Sequence, residues 1–378
     1  MLGPIQSGAA DVSKHLYVHV PFCKRKCNYC AFESAPPREG ERELWLSAIA
    51  RELTMRLKGR RPELTTCYIG GGTPSVLNCS QWDVLIRILD HFFDFAPDAE
   101  VTVEANPESL TAGHLLAWRD WRVTRVSLGV QSFDDTELEQ LGRLHSAGQA
   151  RSAIAASVAA GFAVNADFMF ALPNQTFANW GRTLREAASC GLSHISLYQL
   201  TIERGTPWEH IDQSTLDDGY ASYRFSQWYL PLKGYRQYEI ANFARPGRES
   251  RHNMNYWREG DYLGIGPGAV SYLRGTRSKN YGSLAKYADA IKQGRLPVSF
   301  SEHLTIDRSA REAAILALRT AEGINLADFR DRYGGKNTDL VVSIMEGFPK
   351  EFWEGDGRCI RLTHRGMRVA NRIWQDLV

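Results

Sequence analysis

Short apolar or alternating runs recur along the first two-thirds of the chain, each followed by a longer stretch with helical spacing. HLYVHV (15–20), TTCYIG (65–70), AEVTVEA (99–105), VTRVSLGV (123–130), FAVNADFMF (162–170) and SHISLYQL (193–200) predict strands. Helical patterns follow over 41–57, around 81–93, around 109–118, over 147–160, near 177–189 and near 216–232. Six successive β-then-α units imply a parallel sheet with right-handed crossovers. The unusual segments all come directly after strands: a cysteine loop, GGGTP (70–74), EANPE (104–108), QSF (131–133) and ALPNQ (171–175). In a parallel α/β barrel the carboxyl ends of the strands form the functional face, whereas a doubly wound open sheet concentrates its site at one switch point. Odd loops after strand upon strand favour a partial, TIM-like (β/α)6 barrel over the open sheet.

The pattern divides the chain into a tail over 1–14, a barrel over 15–232, a barrel extension over 233–300 and a small domain over 301–378. The extension, rich in Gly, Tyr and Asn, reads as strands and loops closing over the barrel. In the small domain REAAILALRTAEGI (311–324) predicts a helix ending at Gly323, and ADFRDRYGG another ending at Gly334. A short strand, a Thr363 cap and a final amphipathic helix complete an α-rich, winged-helix-like unit. Its helices carry no dense Arg/Lys face, so packing is expected of it rather than DNA binding.

Composition narrows the function classes. The 378 residues carry a formal net charge of +2, which provides no basic stripe for nucleic acid. No stretch approaches the ~20 apolar residues of a spanning helix. Seven cysteines without a paired framework point to a reducing compartment, so a cytoplasmic protein, monomeric or dimeric, is expected.

Three of those cysteines, Cys23, Cys27 and Cys30, stand as C-x3-C-x2-C, and the other four are scattered. Three thiolates on one loop can hold three irons of a 4Fe-4S cluster and leave the fourth iron open to a small molecule. Structural zinc is the alternative, but it takes four protein ligands, usually as two C-x2-C-like pairs.

With the cysteine motif, GGGTP after the second strand and the six-unit barrel, the chain resembles the radical S-adenosylmethionine superfamily. YVHVPFC, IGGGTPS, EANPE, SLGVQSF, LGRLH, DFMFALPNQT, YEIANFA, HNMNYW and GDYLGIGPGA narrow the resemblance to the oxygen-independent coproporphyrinogen III oxidase-like family. It runs from about Leu16 to the C-terminus. Phe32 stands where the dehydrogenases of that family carry a further cysteine, so the resemblance is to the heme-trafficking branch. Many relatives carry Gly where Ala171 stands and His where Val270 stands.

The resemblance implies a 4Fe-4S cluster on the three cysteines and S-adenosylmethionine held by Tyr17, Tyr29, Gly71, Gly72, Thr73, Glu104, Gln131, Arg143 and Asp167. Each has a plainer reading: a turn for the glycines, a solvated carboxylate for Glu104, a surface charge for Arg143, core packing for Tyr17. An arginine fork suits a carboxylate, and an aspartate can accept two ribose hydroxyls. Heme is implied too, delivered to an unidentified acceptor protein. That picture includes an electron donor of the flavodoxin type and peripheral contact with membrane-bound acceptors. No C-x-x-C-H attachment is present, and the candidates are His252 as ligand with Tyr256 and Trp257 stacking on the porphyrin, unless the motif merely ties a loop by hydrogen bonds. A radical enzyme performing methyl transfer, cyclopropanation or porphyrin-ring chemistry is the competing expectation.

Overall fold

The computed structural model describes residues 13–378, so the tail expected over 1–14 lies almost wholly outside the described residues. The six expected β-then-α units are present in order. They are β1 (His15–Val20), α1 (Glu41–Leu57), β2 (Glu63–Gly71), α2 (Cys79–Phe92), β3 (Asp94–Ala105), α3 (Ala112–Trp121) and β4 (Arg125–Gln131), then α4 (Asp135–Gln140) with α5 (Ala147–Ala159), β5 (Ala163–Phe170), α6 (Phe177–Ser189), β6 (His194–Gln199) and α7 (Tyr220–Leu232). Local chemistry starts several of the helices. Asn78 with Gln81, Thr111 with His114 and Ser146 with Gln149 form reciprocal capping boxes at α2, α3 and α5.

Strands β1 to β6 pair consecutively and in parallel. The sheet does not close, since its order is β7-β8-β6-β5-β4-β3-β2-β1-β9. The additions come from the region expected as strands and loops. They are β7 (Arg236–Gln237), β8 (Asn242–Ala244), a short helix α8 (Arg251–Trp257) and β9 (Leu263–Ile265). Strand β9 runs parallel to β1, so the GPGA turn after it emerges on the same face as the cysteine loop. HNMNYW is helical, not a loop. The Ser250 hydroxyl accepts the Asn253 N–H, and the buried Glu100 carboxylate accepts those of Arg251 and His252. A helix this short gains its stability from such tertiary partners, which periodicity does not reveal.

After β10 (Val270–Leu273), β11 (Thr276–Asn280), α9 (Leu284–Lys292) and β12 (Val298–His303) come α10 (Ile306–Leu318), β13 (Ile324–Asn325), α11 (Leu326–Tyr333), α12 (Gly335–Glu346), β14 (Trp353–Gly355), β15 (Cys359–Leu362), α13 (His364–Arg368) and α14 (Ala370–Leu377). Strands β13, β15 and β14 form an antiparallel sheet beside the helices, a winged-helix order. Helix α10 stops short of Gly323, because Thr320 leaves it to bridge Glu239 and Gly323 turns at φ +71°. Helix α12 is an addition to the expected elements, and the final helix is split at Val369.

The largest apolar core lies between the sheet and its helices and includes Trp45, Trp82, Trp118 and Trp180. A second core gathers residues between Ala310 and Leu377. Among the described residues no helix is long and apolar enough to cross a membrane.

Candidate cofactor site

Alternation along the strands decides what fills the curl of the sheet. Val101, Val103, Val126, Leu128, Val164 and Ala166 turn into the apolar core against the helices. Their neighbours Thr102, Glu104, Ser127, Asn165 and Asp167 instead line a cavity of about 450 Å³. The barrel lumen is therefore polar, unlike the layered aliphatic interior of an ordinary eight-stranded barrel.

The cysteine loop forms the rim. Cys23, Cys27 and Cys30 are free thiols that all face this cavity. Burial pushes the Cys23 and Cys30 thiols up, so holding thiolates there requires a compensating positive partner. Part of it is in place, since Arg143 Nη1 donates to Cys27 Sγ at 3.4 Å. Among the described residues no three His, Cys, Asp or Glu side chains converge as the ligands of a single metal ion do. Three soft sulfur donors around one cavity fit three corners of an iron–sulfur cluster.

The glycine run is shaped by that loop. Gly72 N–H donates to Val20 C=O at 2.8 Å and Thr73 N–H to Phe22 C=O at 2.6 Å. A Cβ on Gly72 would collide with these two backbone carbonyls, and Gly71 adopts φ +104° beside the His19 ring. The run thus serves to lay β2 against the cysteine loop, a role beyond a plain turn.

Glu104 sits under it, accepting the Tyr68 hydroxyl at 2.7 Å and the Gly71 N–H at 3.0 Å. Burial pushes its pKa up to about 7, with Asp167 acting in the same direction and both hydrogen bonds opposing. Burial raises Asp167 also, against hydrogen bonds from Ser196, Asn165 and Ser127. Arg143 reaches across the floor of the rim, donating from Nη2 to Asn106 Oδ1 at 2.7 Å and to Gly129 C=O at 2.6 Å. Asn106 in turn donates to Thr73 Oγ1 at 3.1 Å. Gln131 ends β4 at φ +68°, an uncommon conformation for a side-chain-bearing residue, beside a β-bulge.

Tyr29, Gly71, Gly72, Thr73, Glu104, Gln131, Arg143 and Asp167 thus share one cavity wall with the three cysteines. Tyr17 does not join them. Its hydroxyl bonds His19 Nδ1 at 3.0 Å and its ring packs 6.2 Å from Tyr68, behind the wall.

The heme candidates His252, Tyr256 and Trp257 are not on the wall either. His252 is fully buried, with Nδ1 on Thr66 Oγ1 and Nε2 on the Tyr256 hydroxyl, both at 2.7 Å. Burial pulls its pKa down to about 3. With both ring nitrogens engaged and one face stacked on Tyr68 at 5.3 Å, it has no free position for iron. Tyr256 packs at a steep angle to Tyr262, and the Arg319 guanidinium lies over the Trp257 ring at 4.4 Å.

Several site residues escaped sequence reasoning: Tyr68, Asn106, Ser127, Asn165 and Ser196. Their signal was the polar member of each alternating pair, which a strand covered by helices on both faces would lack.

A three-cysteine loop at the carboxyl edge of a curled parallel sheet, over a cavity of buried carboxylates and an arginine, is an arrangement of the radical S-adenosylmethionine class. The radical SAM superfamily model matches residues 17–187. The heme chaperone HemW of Bacillus subtilis is 31% identical over 96% of this chain and 98% of its own length. That of Mycobacterium tuberculosis is 34% identical over 96% and 94%. A bovine mitochondrial protein, radical S-adenosyl methionine domain-containing protein 1, is 39% identical over 99% of this chain and 87% of its own. The coproporphyrinogen III oxidase of Escherichia coli, at 22% identity, shares the fold with a TM-score of 0.85 over 96% of this chain and 89% of its own. The chain belongs to the HemW family of the radical SAM superfamily.

Proposed function

We propose that this protein is a heme chaperone of the cytoplasm that holds a 4Fe-4S cluster on Cys23, Cys27 and Cys30, binds S-adenosylmethionine in the adjoining cavity and passes heme to an acceptor protein. The observation that carries the reading is the end-to-end likeness to chains named heme chaperone. Phe32, where the dehydrogenases carry a further cysteine, supports it. Its ring is 66% exposed at the cavity rim and offers an apolar surface but no sulfur ligand.

When bound, the cluster supplies one-electron reduction at the sulfonium of S-adenosylmethionine. The chain's own groups do the holding. Ionised Glu104 and Asp167 suit a cationic or hydroxyl-bearing ligand, and Arg143 suits a carboxylate. The close approach of the Val20 and Phe22 carbonyls to Gly72 leaves no room for a side chain at that position. An electron donor of the flavodoxin type and peripheral contact with membrane-bound acceptors complete the proposal. His252 is left out of the heme site because both its ring nitrogens are engaged within the fold.

The intact cofactor-sized cavity favours one competing reading, a radical enzyme. Anaerobic reconstitution, followed by a Soret titration and assay of 5′-deoxyadenosine with and without heme, separates the two. The chaperone binds heme stoichiometrically, and abundant S-adenosylmethionine turnover with no heme binding would sink it. Cys27→Ala should lose the brown cluster chromophore, and its retention would overturn the ligand assignment.

A further inference from the structure

We infer that Arg143 sets the reduction potential of the cluster on the cysteine loop, through the N–H it directs at Cys27 Sγ. This inference rests on the cluster assignment proposed above. The geometry gives it a physical basis. The guanidinium is fixed at three points, by Cys27 Sγ at 3.4 Å, Asn106 Oδ1 at 2.7 Å and Gly129 C=O at 2.6 Å. Donor and sulfur are held together by a separate set of bonds between their two loops. Arg25 Nη2 donates to the carbonyls of Gly142 (2.6 Å) and Arg143 (3.1 Å), and Asn28 donates to those of Gln140 (2.8 Å) and Leu141 (3.1 Å). The spacing of the two loops is thus fixed independently of the Arg143 side chain.

The three sulfurs are not equivalent. Cys23 Sγ has only the neutral Ser34 hydroxyl, at 3.6 Å. Cys30 Sγ has the Phe32 backbone N–H. Among the described residues Cys27 is the one of the three whose sulfur receives a donor from a cation. Hydrogen bonds and positive charge at cluster sulfurs raise the reduction potential, because the reduced state carries one more negative charge. Reduction here takes one electron from an external one-electron reductant, breaks no bond and needs no proton. The partly buried guanidinium offsets the share of that charge placed on Cys27, in surroundings where water screens it weakly. Arg143 is thus a positioning and tuning residue, whatever contact it also makes with S-adenosylmethionine.

The test is an EPR-monitored redox titration with dithionite and mediators, on reconstituted full-length protein without S-adenosylmethionine. Arg143→Gln should move the midpoint of the reduced-cluster signal to more negative potential. Arg143→Lys, which keeps a charge but loses the fixed fork, should move it less. Midpoints equal to wild type in both variants, at equal iron content, would overturn the inference and leave the functional reading standing. A wild-type chain that takes up no four-iron cluster would overturn both. Should the variants fail to hold the cluster, the unmodified protein decides. Labelled with 15N-arginine, its reduced cluster should show hyperfine coupling to a guanidinium nitrogen, and the absence of coupling refutes the contact.

Discussion

Replacing Glu104 with glutamine tests the electrostatics of the lumen most directly. The carboxyl is enclosed, and burial lifts its pKa from 4.5 to about 7. Between those values the folded protein keeps a proton that the unfolded chain has lost. The stability this proton supplies is full below pH 4.5 and is lost as the pH rises to about 7. A displacement of that size corresponds to ~3 kcal/mol. Glu104→Gln preserves the volume and removes the titration. Urea unfolding of cluster-free protein, followed by the fluorescence of the buried Trp45, Trp82, Trp118 and Trp180, reads the difference. Wild type should lose ~3 kcal/mol more than the variant between pH 4.5 and 8. Absolute stabilities are not the comparison, because Tyr68 and Gly71 donate to different oxygens of Glu104 and glutamine replaces one of these with an NH2 group. The Asp167 carboxyl, also raised by burial, titrates in both proteins with the same sign and largely cancels. Parallel pH profiles in the two proteins would refute the reasoning.

Three further substitutions probe the rest of the site. Gly72→Ala sets a Cβ against the Phe22 and Val20 carbonyls and should cost ~1–3 kcal/mol, with lowered iron uptake on reconstitution; wild-type iron content would show that the two loops are not in close register. His252→Ala removes the partner of the Tyr256 hydroxyl and leaves Thr66 with His15 alone, and should cost ~2–4 kcal/mol in denaturation. The folded variant should keep its Soret titration, and selective loss of heme binding would return His252 to a ligand role. Ala171 stands at φ +58°, so Ala171→Gly should raise the thermal midpoint through a gain of ~0.5–1 kcal/mol, the left-handed strain relieved less the entropy cost of glycine.

The barrel was legible because its strands are contiguous runs followed by helices, several with their own side-chain cap, so local signals and tertiary structure agree. Phe177–Ser189 and Glu41–Leu57 fall where their periodicity places them. The extension over 233–300 was less legible, since several of its elements are short and stabilised from outside. Helix α8 is capped by Glu100, more than a hundred residues earlier, and β9 is a three-residue strand defined by its pairing with β1. The site divides in the same way. The cysteines and glycines announce themselves by spacing, whereas Tyr68 and Asn106 matter only through partners in distant loops. His252 shows the converse, a conspicuous motif residue whose burial gives it the work of joining α8 to β2 through Thr66.

The polarity of the lumen carries the functional argument one step beyond the motif. A curled sheet filled only to fold would place aliphatic layers at its centre, as parallel barrels ordinarily do. This one buries the Arg125–Glu100 ion pair at 3.2 Å, together with Glu104 and Asp167, whose carboxyls burial penalises. Thr102 Oγ1 and the Arg125 Nε and Nη1 atoms are left without protein partners there. Such groups cost stability unless water or a ligand completes their hydrogen bonds. The Glu100 carboxylate of that pair also accepts the first N–H groups of α8 and so is tied into the fold, but Glu104 and Asp167 open onto the cavity beside the cysteines. A ligand bearing positive charge and hydroxyls would let both carboxyls ionise and would therefore bind the folded chain with more than contact energy. The same binding must stabilise the fold by linkage. A lumen that is unfavourable when empty and favourable when filled is what distinguishes a cofactor site from a packed core.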